Sequence, residues 1–481
     1  MRLADLIDAT PANLAGIEVS GIVADSRAVT PGCLFAALPG SRHDGRAYIG
    51  EAVARGAVAV LAPPGTAWPE GVAARPLLTD PEPRRALARA AAVLAGAQPE
   101  CVVAVTGTNG KTSTVDFLRQ IWTLAGKRAA SLGTLGLIAP GFPSGAGLTT
   151  PDPVALARQL AALARAGIGH AALEASSHGL DQYRLDGVRL AAAGFSNLTR
   201  DHLDYHGSLD AYRAAKLRLF AELLPRGAPA VANADMEPAT LAALAAIARA
   251  RRLDFRTVGE AGADIRLLRA VPLVRGQALE LATPAGRVEV ELALPGRFQA
   301  DNVLLAAALA AACGEAGALG LLEKLTGVRG RMERAAVLPN GAAAYVDYAH
   351  TPDALERLLA ALRPHARGRL VVVFGAGGDR DAGKRPLMGA AAARGADRVI
   401  VTDDNPRTEN PAAIRAAVRA GCPEAEEIGD RAQAIASGLA MLGPEDVLAV
   451  AGKGHEQGQI IGEAVLPFDD AAVIRRLAGL A

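Results

Sequence analysis

Short, unbroken apolar runs alternate with longer stretches of mixed composition along most of the chain. Residues 101–105, Cys-Val-Val-Ala-Val, give no position to solvent, the pattern of a strand buried on both faces of a parallel sheet. Runs of the same kind at 171–175, 191–196 and 230–233 predict further strands, with helical stretches between them. A second series starts near residue 335, with strands expected at 343–346, 370–374, 398–402 and 447–451 and helices at 352–362 and 411–420. This βα rhythm predicts doubly wound α/β sheets, and ligands of such sheets bind beyond the carboxyl ends of the strands. Upstream, a turn-rich stretch from Asp25 to Gly32, a Pro63-Pro64-Gly65 loop and a helical stretch at 84–97 read as a smaller α/β unit.

The 481 residues are enough for about three domains. The expected fold is α/β with three domains: a small N-terminal α/β domain (1–98), a central P-loop-type domain with a mainly parallel sheet (99–330) and a C-terminal Rossmann-like α/β domain (331–481). Lys and Arg number 51 against 50 Asp and Glu, and aromatic residues make up 4%. That balance excludes a general nucleic-acid or membrane-surface binder, so any anionic ligand must be held by local clusters. Cys33, Cys101, Cys313 and Cys422 form no CxxC pair, which argues against structural zinc and a disulfide framework. Asp5 and Asp8 interrupt the N-terminus too early for a signal peptide, and the apolar run 303–313 is too short to span a bilayer. The expectation is a cytoplasmic monomer with no nucleic-acid partner and no membrane insertion.

The strongest chemical signal follows the first buried strand. Gly107-Thr108-Asn109-Gly110-Lys111-Thr112-Ser113 precedes a helical pattern at 115–124. Strand, glycine loop, GKT and helix are what phosphate binding needs: inward N–H groups, a helix N-terminus, a lysine for the β and γ phosphates and a hydroxyl for Mg²⁺. The loop is two residues shorter than the common GxxxxGK[ST] form. Glu174 ends an expected strand before Ser176-Ser177-His178, where a hard oxygen ligand suits Mg²⁺; an ordinary strand-end carboxylate is the plain alternative. His202 and His206 lie in Asp201-His-Leu-Asp-Tyr-His206-Gly and read equally as capping or core histidines. In the C-terminal part, Asp404-Asn405-Pro406-Arg407 follows the 398–402 strand, and an arginine fixed after a proline suits bidentate capture of a carboxylate.

The short nucleotide loop resembles that of the Mur ligases and folylpolyglutamate synthetases, ATP-dependent enzymes that join a carboxylate to an amine. Thr149-Thr150-Pro151, Glu174-Ala-Ser-Ser-His178-Gly-Leu, the 197–207 stretch, Asp347-Tyr-Ala-His350, Gly377-Gly-Asp-Arg380 and Gly452-Lys-Gly-His-Glu456 extend the Mur ligase resemblance over nearly the whole chain. It implies addition of meso-2,6-diaminopimelate to UDP-N-acetylmuramoyl-L-alanyl-D-glutamate through an acyl phosphate, with ATP and Mg²⁺, in peptidoglycan precursor synthesis. It implies that Lys111, Glu174, His206 and Lys216 are catalytic. Thr112, Glu174 and Lys216, the last as a carbamylated lysine, would hold the metal. Gly107 to Ser113 together with Asn302, Arg331 and Asp347 would bind ATP.

The muramoyl dipeptide is assigned by the same resemblance to Thr149, Thr150, Ser176, Gln182 and Arg184, and its uridine end to Ala24, Ser26, Ser41, Arg42 and His43. Diaminopimelate is assigned to Arg380, Asp404, Asn405, Pro406, Arg407, Gly452 and Glu456. It differs from lysine by one far carboxylate, which is what an extra guanidinium would read. A lysine-adding or folylpolyglutamate-type ligase, a P-loop switch ATPase and a dinucleotide oxidoreductase remain as alternatives; for the last, Gly375-Ala-Gly-Gly378 lacks a full GxGxxG.

Overall fold

The computed structural model describes residues 1–8, 10–40, 43–143, 145, 147–273 and 276–480. The chain forms two compact units, Met1–Thr257 with Ala308–Ala316, and Val258–Ala307 with Gly317–Ala481.

The first unit holds two sheets. Gly21–Val23, Cys33–Ala36, Ala59–Ala62 and Leu77–Thr79 pair in that order, all parallel. The loops that carry Ala24 to Ser26 and His43 leave the carboxyl ends of the first two strands. The larger sheet is built around Cys101–Thr106, which lies between His170–Glu174 and Ala192–Phe195, all three parallel. Ala129–Gly133 extends it on one side and Pro229–Asn233 on the other; Gly136–Ile138 adds an antiparallel edge. Val102, Ala104, Leu173, Phe195 and Phe220 pack in its core, which explains the uninterrupted apolar runs. The helices Pro83–Ala95 and Pro153–Arg165 pack on each other. The second starts sharply because Asp152 accepts the N–H groups of Val154 and Ala155 and Pro153 gives up no hydrogen bond there.

The second unit contains an antiparallel meander, Ile265–Leu273, Gly276–Thr283 and Gly286–Leu292. It also contains a six-stranded sheet in the order Glu333–Val337, Ala343–Asp347, Val447–Ala451, Leu370–Phe374, Arg398–Val401 and Glu426–Glu427, parallel except at the first strand. A small hairpin, Gly458–Ile461 with Ala464–Pro467, follows.

The expected strands of both series form within one or two residues of their expected limits. Two differences bear on function. The helix expected at 115–124 starts at Lys111, because Thr112, Ser113 and Thr114 are buried polar members of its first turn and leave no apolar mark. The meander at 265–292 interrupts the parallel rhythm expected for 99–330; its exposed charges Arg266, Arg269, Arg287 and Glu291 alternate with buried positions, which suits a sheet with one wet face.

Candidate active site

Gly110 stands at φ +85° as the residue before the helix Lys111–Leu124, a turn open to glycine, and brings the helix N-terminus against the loop. A methyl on Gly107 would press on Asn197 O at 3.0 Å, so the loop lies directly on the 196–199 segment. That segment braces it. Thr108 N donates to Asn197 O (2.8 Å), Asn109 N to Asn197 Oδ1 (3.0 Å), Thr199 N to Thr108 Oγ1 (3.0 Å) and Ser196 Oγ to Asn109 O (2.6 Å). Lys111 Nζ donates to Gly107 O (2.8 Å) and Thr108 O (2.9 Å). Lys216 Nζ, almost wholly buried, donates to the same Gly107 O (2.7 Å) and lies 4.5 Å from the centre of the Tyr212 ring. Two lysines thus meet on one carbonyl. Burial first, and the Lys111 ammonium second, push the Lys216 amine well below the ordinary lysine range.

Glu174 is 3% exposed at the end of its strand. Thr112 Oγ1 donates to its Oε2 (3.1 Å), Thr134 N to its Oε1 (2.7 Å) and Thr134 Oγ1 to its Oε2 (3.3 Å). Among the described residues no three His, Cys, Asp or Glu side chains gather as a metal site. The hydroxyl of Thr112 and the Glu174 carboxylate are hard oxygen donors held together, which fits magnesium, an ion that keeps much of its shell as water and phosphate oxygen.

Beside this carboxylate lies the group expected to receive the acceptor. Thr150 Oγ1 donates to Glu174 O (2.8 Å) and accepts from Ser176 N (3.0 Å). Ser176 caps the helix Ser177–Asp181 by accepting from Gly179 N (3.0 Å). Arg184 donates to Thr150 O (2.6 Å) and to Gln182 Oε1 (2.7 Å), and Thr149 shares a hydroxyl contact with Thr134 (3.1 Å). These five residues line or adjoin a cavity of about 280 Å³ that also reaches Lys111, His178, His202 and Lys216. The rings of His178, His202 and His206 lie 5.0 and 5.5 Å apart around His178. Burial leads in pushing His178 and His206 below the usual histidine range, the direction that favours the neutral ring. His206 Nε2 is buried without a hydrogen bond to any described residue.

The loop after Gln182 is fixed from behind. Asp186 accepts from Arg218 Nη2 (2.6 Å) and pairs with Arg85 Nε (3.0 Å), and its side chain is 1% exposed. Arg218 lies over the Tyr183 ring at 4.3 Å, and Tyr183 OH donates to Glu82 (2.9 Å). Ser26, expected at the uridine end, is buried and donates to Glu51 Oε2 (2.8 Å). Ala24 and His43 are exposed; Ser41 and Arg42 lie outside the described residues.

In the second unit, Asn302 donates to Gln299 (3.2 Å), whose amide donates to Arg331 O (3.3 Å). The Arg331 guanidinium lies 4.8 Å from the centre of the Tyr348 ring. Asp347 accepts from Met332 N (2.7 Å) and Ala349 N (2.9 Å); burial raises its pKa, against the pull of Arg331. Burial, with Arg331 adding to it, pushes His455 down to about 4.

The amino-acid candidates gather at the carboxyl ends of Leu370–Phe374, Arg398–Val401 and Val447–Ala451. Gly378 N donates to Asn405 O (2.9 Å), Thr408 Oγ1 to Asp379 Oδ1 (2.7 Å) and Arg407 Nη1 to Gly378 O (2.8 Å). A methyl on Gly377 would touch Arg407 Nη1 at 3.0 Å and Arg380 Cγ at 3.9 Å, so both arginines flank one glycine. Arg407 stands at φ +50°, its N–H donates to Ile460 O (3.1 Å) and its carbonyl accepts from Gly462 N (2.8 Å). Asn405 donates to Glu456 Oε2 (2.9 Å), and a methyl on Gly452 would meet Asp404 Oδ2 at 3.0 Å. Gly330 and Gly454 cross backbone to backbone. A methyl on Gly454 would come to 2.7 Å from Tyr348 Cβ and 2.9 Å from Gly330 O, and one on Gly330 to 2.8 Å from His455 Cα.

Sequence reasoning did not single out Asn197, Thr134, Tyr212, Asp186 or Lys453. Asn197 and Lys453 sat inside motifs already noticed, which was the available signal. Thr134 and Asp186 carried none, because their partners are distant in sequence.

Three domain profiles of one family match the chain: "Mur ligase family, catalytic domain" over residues 18–96, "Mur ligase middle domain" over 105–310 and "Mur ligase, glutamate ligase domain" over 330–454. The UDP-N-acetylmuramoyl-L-alanyl-D-glutamate–2,6-diaminopimelate ligase of Caulobacter vibrioides is 55% identical, over 94% of this chain and 94% of its own length. The ligase of the same name from Rhizobium meliloti is 52% identical, over 97% of this chain and 95% of its own. A solved structure of such a ligase aligns with a TM-score of 0.74 at 34% identity, covering 100% of this chain and 99% of that one.

Proposed function

Because the chain belongs to the Mur ligase family, with its three-domain α/β fold, we propose that it adds meso-2,6-diaminopimelate to UDP-N-acetylmuramoyl-L-alanyl-D-glutamate at the expense of ATP. The products are the UDP-linked tripeptide, ADP and phosphate, and the step belongs to peptidoglycan precursor synthesis. The domain limits are 1–98, 99–330 and 331–481, and the setting is the cytoplasm; among the described residues no helix is long and apolar enough to cross a membrane.

The observation that carries this reading is the adjoining of two sites in the first unit. Lys111 of the phosphate loop lines one cavity with Thr150, Ser176 and Arg184, and Thr112 and Thr150 both hydrogen-bond to Glu174. The glutamyl carboxylate of the acceptor, held by Arg184 and Thr150, attacks the γ-phosphorus of ATP, and ADP leaves. Lys111 lets go of the loop carbonyls to neutralise the phosphates, and the loop N–H groups hold their oxygens. The amine of diaminopimelate then attacks the acyl carbon, and phosphate leaves as the amide forms. His178 or His206 takes the proton that the amine loses. Thr112, Glu174 and a carbamylated Lys216 would hold Mg²⁺, which offsets phosphate charge when bound. The depressed pKa of Lys216 supports that modification, since only the neutral amine adds to carbon dioxide. In the second unit, Arg407 and Arg380 read the far carboxylate of diaminopimelate.

Phosphate release tests the reading, with ATP, Mg²⁺ and the acceptor, run with meso-diaminopimelate, with L-lysine and with no amine. Release with diaminopimelate alone is expected, and Arg407→Ala should raise KM for that amine by at least tenfold while sparing the other two substrates. Equal release with lysine would refute the arginine reading. Release without amine would refute the ligase.

A further inference from the structure

Lys453 has no solvent-exposed surface, and no role follows for it from the phosphate, acceptor or amino-acid contacts described above. A buried ammonium is costly unless charged or polar partners surround it. Lys453 lies two residues beyond the strand Val447–Ala451 and is met by side chains at 404, 405 and 456. Nζ donates to Asn405 Oδ1 (2.9 Å) and to Glu456 Oε2 (3.2 Å), and it lies 3.5 Å from Asp404 Oδ1. That Asp404 oxygen is buried and accepts no hydrogen bond from the described residues. All three partners belong to the group proposed to receive diaminopimelate.

The wiring is directional. Asn405 is engaged at both ends: its amide donates to Glu456 Oε2, and its oxygen accepts from both Lys453 and Ile460 N (2.9 Å). Lys453 and Asn405 therefore converge on one oxygen of Glu456. The carboxylate is one-third exposed, and its Oε1 takes no hydrogen bond from the described residues. Two carboxylates this close would repel each other without a cation between them. Lys453 is that cation.

A second buried cation already does the structural work nearby. Arg431 makes a double contact to Asp470 (2.7 and 2.8 Å), and it donates to Ala451 O (3.0 Å) and Asp403 O (3.4 Å). It ties together the same strand ends without Lys453. The lysine is thus placed to act on the pose of the site and not on the frame that carries it.

We infer that Lys453 is a positioning residue for the amino-acid substrate: its ammonium holds Glu456 and Asn405 so that Glu456 Oε1 faces the ligand's ammonium group, while Lys453 itself does not touch the ligand. The inference rests on the reading of residues 404–407 and 452–456 as the amino-acid site.

The test uses the full-length enzyme with Lys453→Met, which keeps the stem and removes the charge, and Lys453→Gln, which keeps a donor toward Asn405. Each is combined with Glu456→Gln. Steady-state phosphate release gives kcat and a KM for each of the three substrates, and thermal melting reports folding. Lys453→Met should raise KM for diaminopimelate about 30-fold or more, with KM for ATP and acceptor within twofold. Lys453→Gln should recover part of the loss. Lys453→Met combined with Glu456→Gln should be no worse than the weaker single variant by more than threefold, because the two residues act as one unit.

An equal change in all three KM values, a loss confined to kcat, or multiplied effects in the double variant would overturn the positioning role. Failure of both lysine variants to fold would overturn it too, since the residue would then belong to the frame. Wild-type enzyme that releases no phosphate with diaminopimelate would instead bring down the parent reading, and the wild-type arm separates that failure from the others.

Discussion

Substituting Gly133 by alanine should disable the enzyme without touching any ligand. Gly133 ends the strand Ala129–Gly133, beside the end of His170–Glu174, and a methyl there would lie 2.5 Å from both Cγ and Cδ of Glu174 and closer still to Oε1. Carbon atoms rest about 3.5 Å apart or more, so the carboxylate must retreat by roughly 1 Å. It has little room, being 3% exposed and held by Thr112 and Thr134 at 3.1, 2.7 and 3.3 Å. Overpacking of this kind costs about 1–3 kcal/mol, and losing one hydrogen bond to the carboxyl group about 0.5–1.5 kcal/mol more. A misplacement near 1 Å at a reacting centre lowers turnover about 100-fold. The expected outcome for Gly133→Ala is a kcat lower by about that factor, with a melting temperature below the wild type but a folded protein at assay temperature. Gly169, at the other end of the Glu174 strand, has open space where its methyl would go, so Gly169→Ala should behave as wild type. Gly133→Ala retaining kcat within threefold would show that Glu174 is not where the chemistry depends on position.

Two further outcomes follow from buried charges. Asp186→Asn leaves Arg85 and Arg218 facing a neutral partner, which should cost about 3–5 kcal/mol as a broken buried pair. Because Gln182 and Arg184 share that loop, KM for the acceptor should rise more than KM for ATP; equal changes would refute the link. His365 accepts from Gly296 N at Nε2 (2.9 Å) and donates from Nδ1 to Leu273 O (2.8 Å), so the fold needs the neutral ring. Burial depresses its folded pKa, so the unfolded chain takes the proton first. Its stabilisation is therefore present above the unfolded value near 6.5 and is lost as pH falls below it. Urea midpoints at pH 7.5 and 5.5 should differ less in His365→Gln than in wild type, and an unchanged difference would refute the assignment.

The parallel strands were legible because burial on both faces removes polar residues from them, as at Val102 to Val105. The phosphate loop was legible because its chemistry is local: strand, turn, lysine and helix follow one another in the chain. The helix start at Lys111 was not, since periodicity is carried by apolar residues and the first turn here is polar. The meander at 265–292 was passed over because its strands alternate buried residues with charges and show no continuous run. Within the site, the residues assigned to the ligands could be proposed from motif chemistry. The residues that hold them in place could not. Thr134 reaches Glu174, Asn197 reaches Asn109, and Asp186 reaches Arg85, across gaps that only folding closes.

The crossing of Gly330 and Gly454 bears on inhibitor escape. Both residues sit at positive φ, +63° and +53°, and both would drive a methyl into backbone atoms that have no side-chain freedom to yield. A compound that reads this crossing through main-chain contacts would face a surface the organism cannot edit one residue at a time. Even the smallest exchange would strain the turn and press on the loop that carries Glu456.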